Sequence, residues 1–304
     1  MSTLITGGSG LLGNRVAQLL LDRGDDVVCY DRRLPPEDAR VGARYILGDL
    51  NDHPRLFGTI KSAGVTHIVH AGAASGPMVE SDNPFSVCRS NIMGTLNVYE
   101  AARLFAVQRV VYCSSDTVYG SVSAESVHEK TALRPATVYG VTKATGDQLG
   151  RVYSAQFGLD VLALRFSWIY GPGRSTYCPL REMIRHALLG QPLRLAEGAD
   201  QFYQFLYVRD AAAAVVAAIE AQAPRQRAYN VTGGERHSLA EMAAIVGQMI
   251  LGAAIDIGPG LVQQADQQPP FDISAAERDL GYRPSYSLER GTAEYAAWLR
   301  KHAL

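Results

Sequence analysis

The chain has 304 residues, with 29 Lys and Arg against 30 Asp and Glu and a formal net charge of −1. That balance lacks the basic footprint of a nucleic-acid binder and gives no reason to expect a membrane partner. Hydrophobic residues make up 47% and charged residues 19%, the proportions of a globular enzyme with a large core.

The four cysteines, Cys29, Cys88, Cys113 and Cys178, are far apart and form no C-x-x-C. They read as reduced thiols of a cytoplasmic protein. Neither they nor the seven histidines have ligand spacing, so no metal is expected. No leader sequence and no apolar run of membrane-spanning length stands out.

The first element is "STLIT" (2–6), a short apolar run ended by glycines. "LLGNRVAQLLLDRG" (11–24) has apolar residues at helical spacing, with Gly24 placed to end the helix. "DVVCYD" (26–31) follows as a buried strand, completing a βαβ unit. "RYILGD" and "THIVHAG" read as strands, "NPFSVCRSNIMGTLNVYEAARLF" contains a helix, and "RVVYCSS" is another strand. "TVYGVTKATGDQLGRVYSAQFG" is a helix closed by Gly158, and "DVLALRF" a strand. Near-continuous apolar strands alternating with helices predict an α/β fold, a doubly wound parallel Rossmann sheet over residues 1–166.

Beyond Phe166, "YGPGRSTYCP" is a loop, followed by the helices "LREMIRHALLG" and "RDAAAAVVAAIEAQ" and the strand "RAYNVTG". "SLAEMAAIVGQMIL" opens on a capping box, Ser238 with Glu241, and the tail ends in a helix. Residues 167–304 are expected to form a smaller, mainly substrate-binding lobe, with some segments returning to the main sheet.

"TGGSGLLG" places Gly7, Gly10 and Gly13 between the first strand and the first helix. Glycines there permit a tight turn and let backbone N–H groups approach a pyrophosphate, which the helix N-terminus also attracts. Leu11 and Leu12 open that helix. Asp31 ends the second strand, where a carboxylate accepts from a ribose diol and repels a 2′-phosphate. NAD is therefore expected rather than NADP, although Arg32 and Arg33 follow directly. Asp49, with Leu50 beside it, either reaches the adenine amino group or caps the next helix.

Tyr139 and Lys143 stand at i and i+4, on one face of a helix. A free phenol, with a pKa of about 10, is too weak a base at neutral pH. A neighbouring ammonium and a positive nicotinamide ring lower it. The tetrapeptide "TVYG" occurs twice, and Tyr119 in the first copy has no such lysine, so it is expected to pack the loop behind Ser115 and Asp116.

Taken together, the glycine turn, "SSDTVYG", Tyr139-x-x-x-Lys143, "LRFSWIYGPG" and "SAAERDLGYRPSYSLERG" resemble an extended short-chain dehydrogenase/reductase. More narrowly, they resemble the NAD-dependent epimerase/dehydratase branch that includes UDP-galactose 4-epimerase. The resemblance implies Tyr139 as the base, Lys143 beside it, and Ser115 holding the reacting oxygen. It also implies Ala71, Gly72 and Ala73 as a cofactor-facing loop, Asn91 beneath the site, and Phe166 near the carboxamide. A homodimer through the helices Ser86–Phe105 and Tyr139–Phe157 is expected on the same ground.

Three reactions share the hydride step: epimerisation, dehydration and net oxidation or reduction. Dehydratases of this branch carry a glutamate where this chain has Thr117 after Asp116, and threonine is a poor base. Dehydration therefore ranks third. Two arginines that hold a nucleotide diphosphate in the family are missing: Tyr203 stands in place of one, and "GLVQQADQQPPFD" (260–272) has no other. Trp168 replaces a family asparagine. The expectation drawn from these departures is a dehydrogenase or epimerase acting on a sugar-like small molecule without a nucleotide diphosphate. Ser75, Ser115, Asp116, Thr117, Trp168, Arg174 and Tyr203 are its candidate contacts. The alternatives are a nucleotide-sugar 4-epimerase and a non-catalytic NAD(P)-binding regulator.

Overall fold

The computed structural model describes residues 1–35, 39, 41–263 and 265–302. In chain order the first elements are β1 (Ser2–Thr6), α1 (Leu11–Asp22), β2 (Asp26–Asp31), β3 (Arg44–Leu47), α2 (His53–Ser62) and β4 (His67–His70). A nearly continuous helix follows as α3 (Pro84–Cys88), a π-helical turn (Arg89–Met93) and α4 (Gly94–Leu104). Next come β5 (Arg109–Ser115), a short 3-10 turn (Asp116–Val118), α5 (Val138–Phe157), β6 (Val161–Phe166) and β7 (Trp168–Tyr170). The remainder contains α6 (Pro179–Leu188), β8 (Leu193–Leu195), β9 (Phe202–Tyr203), β10 (Phe205–Tyr207), α7 (Val208–Glu220) and β11 (Ala228–Val231). It ends with β12 (His237–Ser238), α8 (Leu239–Met249), β13 (Ile255–Ile257), α9 (Ser274–Leu280) and α10 (Leu288–Leu299).

Seven strands form one parallel sheet in the order β11-β6-β5-β4-β1-β2-β3. The apolar runs are explained by its two covered faces. Val27 and Cys29 point to a core closed by α1, α7 and α9, while Val28 and Tyr30 point to one closed by α2, α4 and α5. A strand with period-2 side chains and apolar layers on both sides must be apolar throughout. The order reverses between β1 and β4, the topological switch point where open α/β sheets leave a crevice at the strands' carboxyl ends.

A separate core gathers Tyr170, Phe205 and Tyr207 with α6, α8 and α10. It forms a lobe over the carboxyl edge of the sheet, whereas β11 pairs in the main sheet and α9 packs on its face. The caps follow the sequence signals: Gly24 has φ +79 just past α1, Gly158 closes α5 in the left-handed region, and Ser238 and Glu241 form the capping box of α8. Among the described residues no helix is long and apolar enough to cross a membrane.

Candidate active site

A cavity of about 1120 Å³ runs along the carboxyl ends of β2, β1, β4, β5 and β6 and on beneath the smaller lobe. Every cofactor and substrate residue predicted from the sequence lines it except Asn91. Asn91 is 2% exposed, behind the wall, with its amide bonded to the backbone of Ala74. It supports the cavity wall instead of lining it, from within the π-helical turn.

At one end the chain makes a close cradle. A Cβ on Gly13 would sit 2.1 Å from the Gly7 carbonyl oxygen, and one on Gly7, at φ +71, would sit 2.8 Å from the Gly72 nitrogen. Only glycine allows this approach of turn, helix and loop. Gly10 caps α1 with no side-chain hydrogen bond, and no acidic residue lies in the first turn. The N–H groups of that turn are thus left for an anion. The Asp31 carboxylate accepts the backbone N–H groups of Ser9 and Arg33, each at 3.0 Å, which aims it at the cavity mouth. A ribose diol suits this carboxylate and a 2′-phosphate does not, so the residues present fit NAD. Asp49 accepts from the backbone and side chain of Asn51, at 2.8 and 3.1 Å. The α2 cap is Asp52, which accepts from Arg55 N–H, so the capping alternative for Asp49 is set aside.

At the centre, β5 delivers Ser115 and α5 delivers Tyr139 and Lys143. Thr137 caps α5 by accepting Gly140 N–H, and Gly158 ends the helix, so the i,i+4 face is fixed by local sequence. Lys143 Nζ donates to the Cys113 carbonyl at 2.7 Å and lies 5.8 Å from the centre of the Tyr139 ring. Burial lowers its pKa to about 8. Burial raises Tyr139 to about 12, while the Ser75 and Ser115 hydroxyls pull it back. Ser115 Oγ donates to Asp116 Oδ1 at 3.0 Å and accepts from the N–H and hydroxyl of Thr117, at 3.2 and 2.9 Å. Burial pushes Asp116 up to about 7, the Ser115 hydrogen bond lowers it, and Asp266 pushes it further up.

Tyr119 is fully buried, donates to Asn230 Oδ1 at 2.7 Å and accepts from Arg165 at 2.8 Å. It braces the loop from behind and does not line the cavity.

At the lobe end, Trp168 meets Tyr203 edge-on at 5.1 Å, and the Arg174 guanidinium lies 5.8 Å over the Trp168 ring. Arg174 donates to the Ile169 and Tyr177 carbonyls at 2.6 and 3.0 Å, while its buried Nε has no partner among the described residues. Asp266, Gln268, Arg194 and Glu197 also line the cavity and were not singled out from the sequence. They come from segments without a motif, one of which contains Gln264, outside the described residues. Among the described residues no cluster of metal ligands occurs.

The pattern of the NAD dependent epimerase/dehydratase family matches residues 3–232. UDP-glucuronate 4-epimerase 3 of Arabidopsis thaliana is 27% identical over 326 residues, covering 98% of this chain and 76% of that protein. The structure of MoeE5 with UDP-glucuronic acid and NAD superposes with a TM-score of 0.90 at 28% identity, covering 99% of both chains. DesIV, a dTDP-glucose 4,6-dehydratase from Streptomyces venezuelae solved with NAD, gives 0.88 at 28% identity, over 99% of this chain and 97% of that one.

These relatives act on, or are bound to, nucleotide sugars, and they overturn the expectation of a substrate without a nucleotide diphosphate. That expectation rested on arginines missing from fixed sequence positions. A guanidinium is a long, mobile donor that a different segment can supply to the same place, so a missing arginine at one position does not exclude the ligand. With the family pattern spanning most of the chain, and with a glycine cradle, a diol-aimed carboxylate and a Ser-Tyr-Lys centre in one cavity, the protein belongs to the NAD dependent epimerase/dehydratase family and is an NAD-dependent enzyme of the extended short-chain dehydrogenase/reductase type.

Proposed function

We propose that the protein is a UDP-sugar 4-epimerase. The observation that carries this reading is the reach of the cavity. Beyond Ser115 and Tyr139 it continues to residues 194–197 and 202–204 of the lobe, more room than a cofactor and a free sugar require. The relatives' nucleotide-sugar names support it. Thr117, where elimination would need a carboxylate base, favours epimerisation over dehydration.

In this reading the Tyr139 oxygen takes the proton of the sugar C4 hydroxyl and later returns it. NAD, held by the glycine turn and Asp31, would supply the acceptor for the C4 hydride and give it back to the opposite face of the resulting ketone. Lys143 steadies the tyrosinate through its buried charge. Ser115 turns its hydrogen from Asp116 to the reacting oxygen and stabilises it as charge develops. Arg174 meets the diphosphate beside Trp168 and Tyr203. Because the nucleotide anchors the substrate, the sugar can turn over between the two hydride steps. Purified protein given UDP-glucose or UDP-glucuronate should form the 4-epimer without net NADH, as resolved by anion-exchange chromatography. If neither is converted and UDP fails to bind at millimolar concentration, the reading is wrong.

Asp116 bears on the choice of sugar. Its carboxyl sits beside Ser115, with Asp266 and Tyr139 as the other titratable groups acting on it. Above about pH 7 its charge accepts from a sugar hydroxyl and repels a uronate; below that it is neutral. The ratio of kcat/KM for UDP-glucuronate over UDP-glucose should therefore fall as pH rises through that value, by roughly fivefold or more for charges this close. In Asp116→Asn the ratio should not vary with pH. Taking a ratio cancels the titration of Tyr139, which both substrates share. A flat ratio in the parent protein would remove Asp116 from the sugar site.

The reading includes a homodimer. Met93, Leu104, Val141 and Phe157 leave apolar side chains exposed on the Pro84–Leu104 and Val138–Phe157 helices, and a second copy would cover them. Light scattering should give twice the chain mass; a monomer at micromolar concentration would count against it.

A further inference from the structure

Beneath the cofactor end lies a buried run of side chains that the reaction does not use. His70, the last residue of β4, is 1% exposed. Its Nδ1 lies 2.7 Å from Thr6 Oγ1 and its Nε2 lies 2.9 Å from Thr95 Oγ1. The neighbours determine its tautomer. Thr95 gives its hydroxyl hydrogen to the Asn91 carbonyl at 2.5 Å, so it can only accept from His70, and Nε2 carries the proton. Nδ1 is then an acceptor for the Thr6 hydroxyl. Thr6 Oγ1 in turn accepts the N–H of Gly72 at 3.1 Å.

The run continues past Asn91. Its Oδ1 accepts Ala74 N–H at 2.8 Å, and its Nδ2 donates to the Ala74 carbonyl at 3.1 Å and to Thr142 Oγ1 at 3.0 Å. Thr142 then donates to the Tyr139 carbonyl at 2.7 Å. The loop Ala71–Ala74 is thereby held at two points, Gly72 through Thr6 and His70, and Ala74 through Asn91. The same circuit ends on the backbone of Tyr139. A neutral His70 with its proton on Nε2 gives every hydrogen in the set an acceptor. Burial, and then the Lys143 charge, keep the ring neutral by lowering its pKa to about 3; the Tyr112 ring packs 5.6 Å away.

We propose that His70 is a positioning residue for NAD, fixing the backbone of the cofactor-facing loop before the cofactor arrives. A loop already ordered by buried hydrogen bonds loses less freedom on binding, and the gain is read as affinity. This inference does not depend on which sugar the enzyme turns over.

The test is the dissociation constant of NAD, measured by equilibrium dialysis, beside that of UDP on the same protein. His70→Phe keeps the ring packing but removes both hydrogen bonds. It is expected to weaken NAD tenfold or more and leave UDP within twofold. His70→Gln, which can still donate to Thr95, should recover part of the loss. Thr95→Val breaks the circuit without touching β4 and should weaken NAD in the same way, which covers the case of a poorly folding His70→Phe. NAD affinity within threefold of the parent in both His70→Phe and Thr95→Val would overturn the proposal. So would a parallel loss of NAD and UDP, which marks a merely structural role.

Discussion

Replacing Tyr139 with phenylalanine is expected to lower kcat by roughly a hundred- to ten-thousandfold, the range seen when a positioned acid–base group is lost. The ring packing survives and only the hydroxyl goes, so the NAD dissociation constant should stay within about threefold. Without cofactor the phenol sits at about 12, because burial disfavours its anion. At neutral pH almost none is ionised, so the base has to be made at the moment of reaction. Lys143, 5.8 Å from the ring centre, and the positive charge brought by oxidised NAD both favour the tyrosinate. The sign follows from this. Raising the pH increases the tyrosinate, so the rate should climb from the acid side. Near and above the Lys143 value of about 8, loss of its charge works the other way. The residual activity of Tyr139→Phe should lack the acid limb. Ten per cent of the parent kcat in that variant, or NAD binding weakened tenfold, would refute the assignment of Tyr139 as base.

Arg174→Ala is expected to raise the KM for the UDP-sugar and the dissociation constant of UDP by roughly ten- to a hundredfold, the worth of a hydrogen bond to a charged phosphate. NAD binding should not change, and kcat should stay within about threefold, because the contact is made equally in the ground state and transition state. Two of the arginine's nitrogens clasp the carbonyls of Ile169 and Tyr177, and its Nε is buried without a partner among the described residues. Those clasps fix the guanidinium over Trp168, which in turn meets Tyr203. Arg174→Lys keeps the charge but not the planar fork and should recover only part of the loss. If UDP binds Arg174→Ala as tightly as the parent, the arginine only braces its loop. The diphosphate must then be met elsewhere, with Arg194 the next cation lining that end.

Much of the site could be read from sequence because its chemistry is local. Gly7, Gly10 and Gly13 are separated by single turns of chain, and Tyr139 and Lys143 by one turn of helix, so spacing alone fixes their relation. The strand runs were legible for a similar reason, since a parallel sheet buried on both faces must be apolar at every position. What Asn91 touches was not legible: a helix asparagine looks the same whether it faces a cofactor or grips a loop, and its bonds to Ala74 join separate segments of chain. Asp266 and Gln268 carried no signal, because they reach the cavity from an irregular segment without periodicity.

By itself the sequence determined the alternation of strands and helices, the glycine cradle and the one-turn spacing of Tyr139 and Lys143; Ser115 entered through the family resemblance. The first three follow from rules that act over a few residues. Only the tertiary structure decided where charge would stand in the cavity. Electrostatic and hydrogen-bonding partners are set by distance in space, not along the chain. Tyr203 meets Trp168, and Asp266 acts on Asp116, from segments that no spacing rule connects. The missing arginines misled for a related reason: a pattern records where a charge is usually encoded, not every segment from which one can reach the cavity.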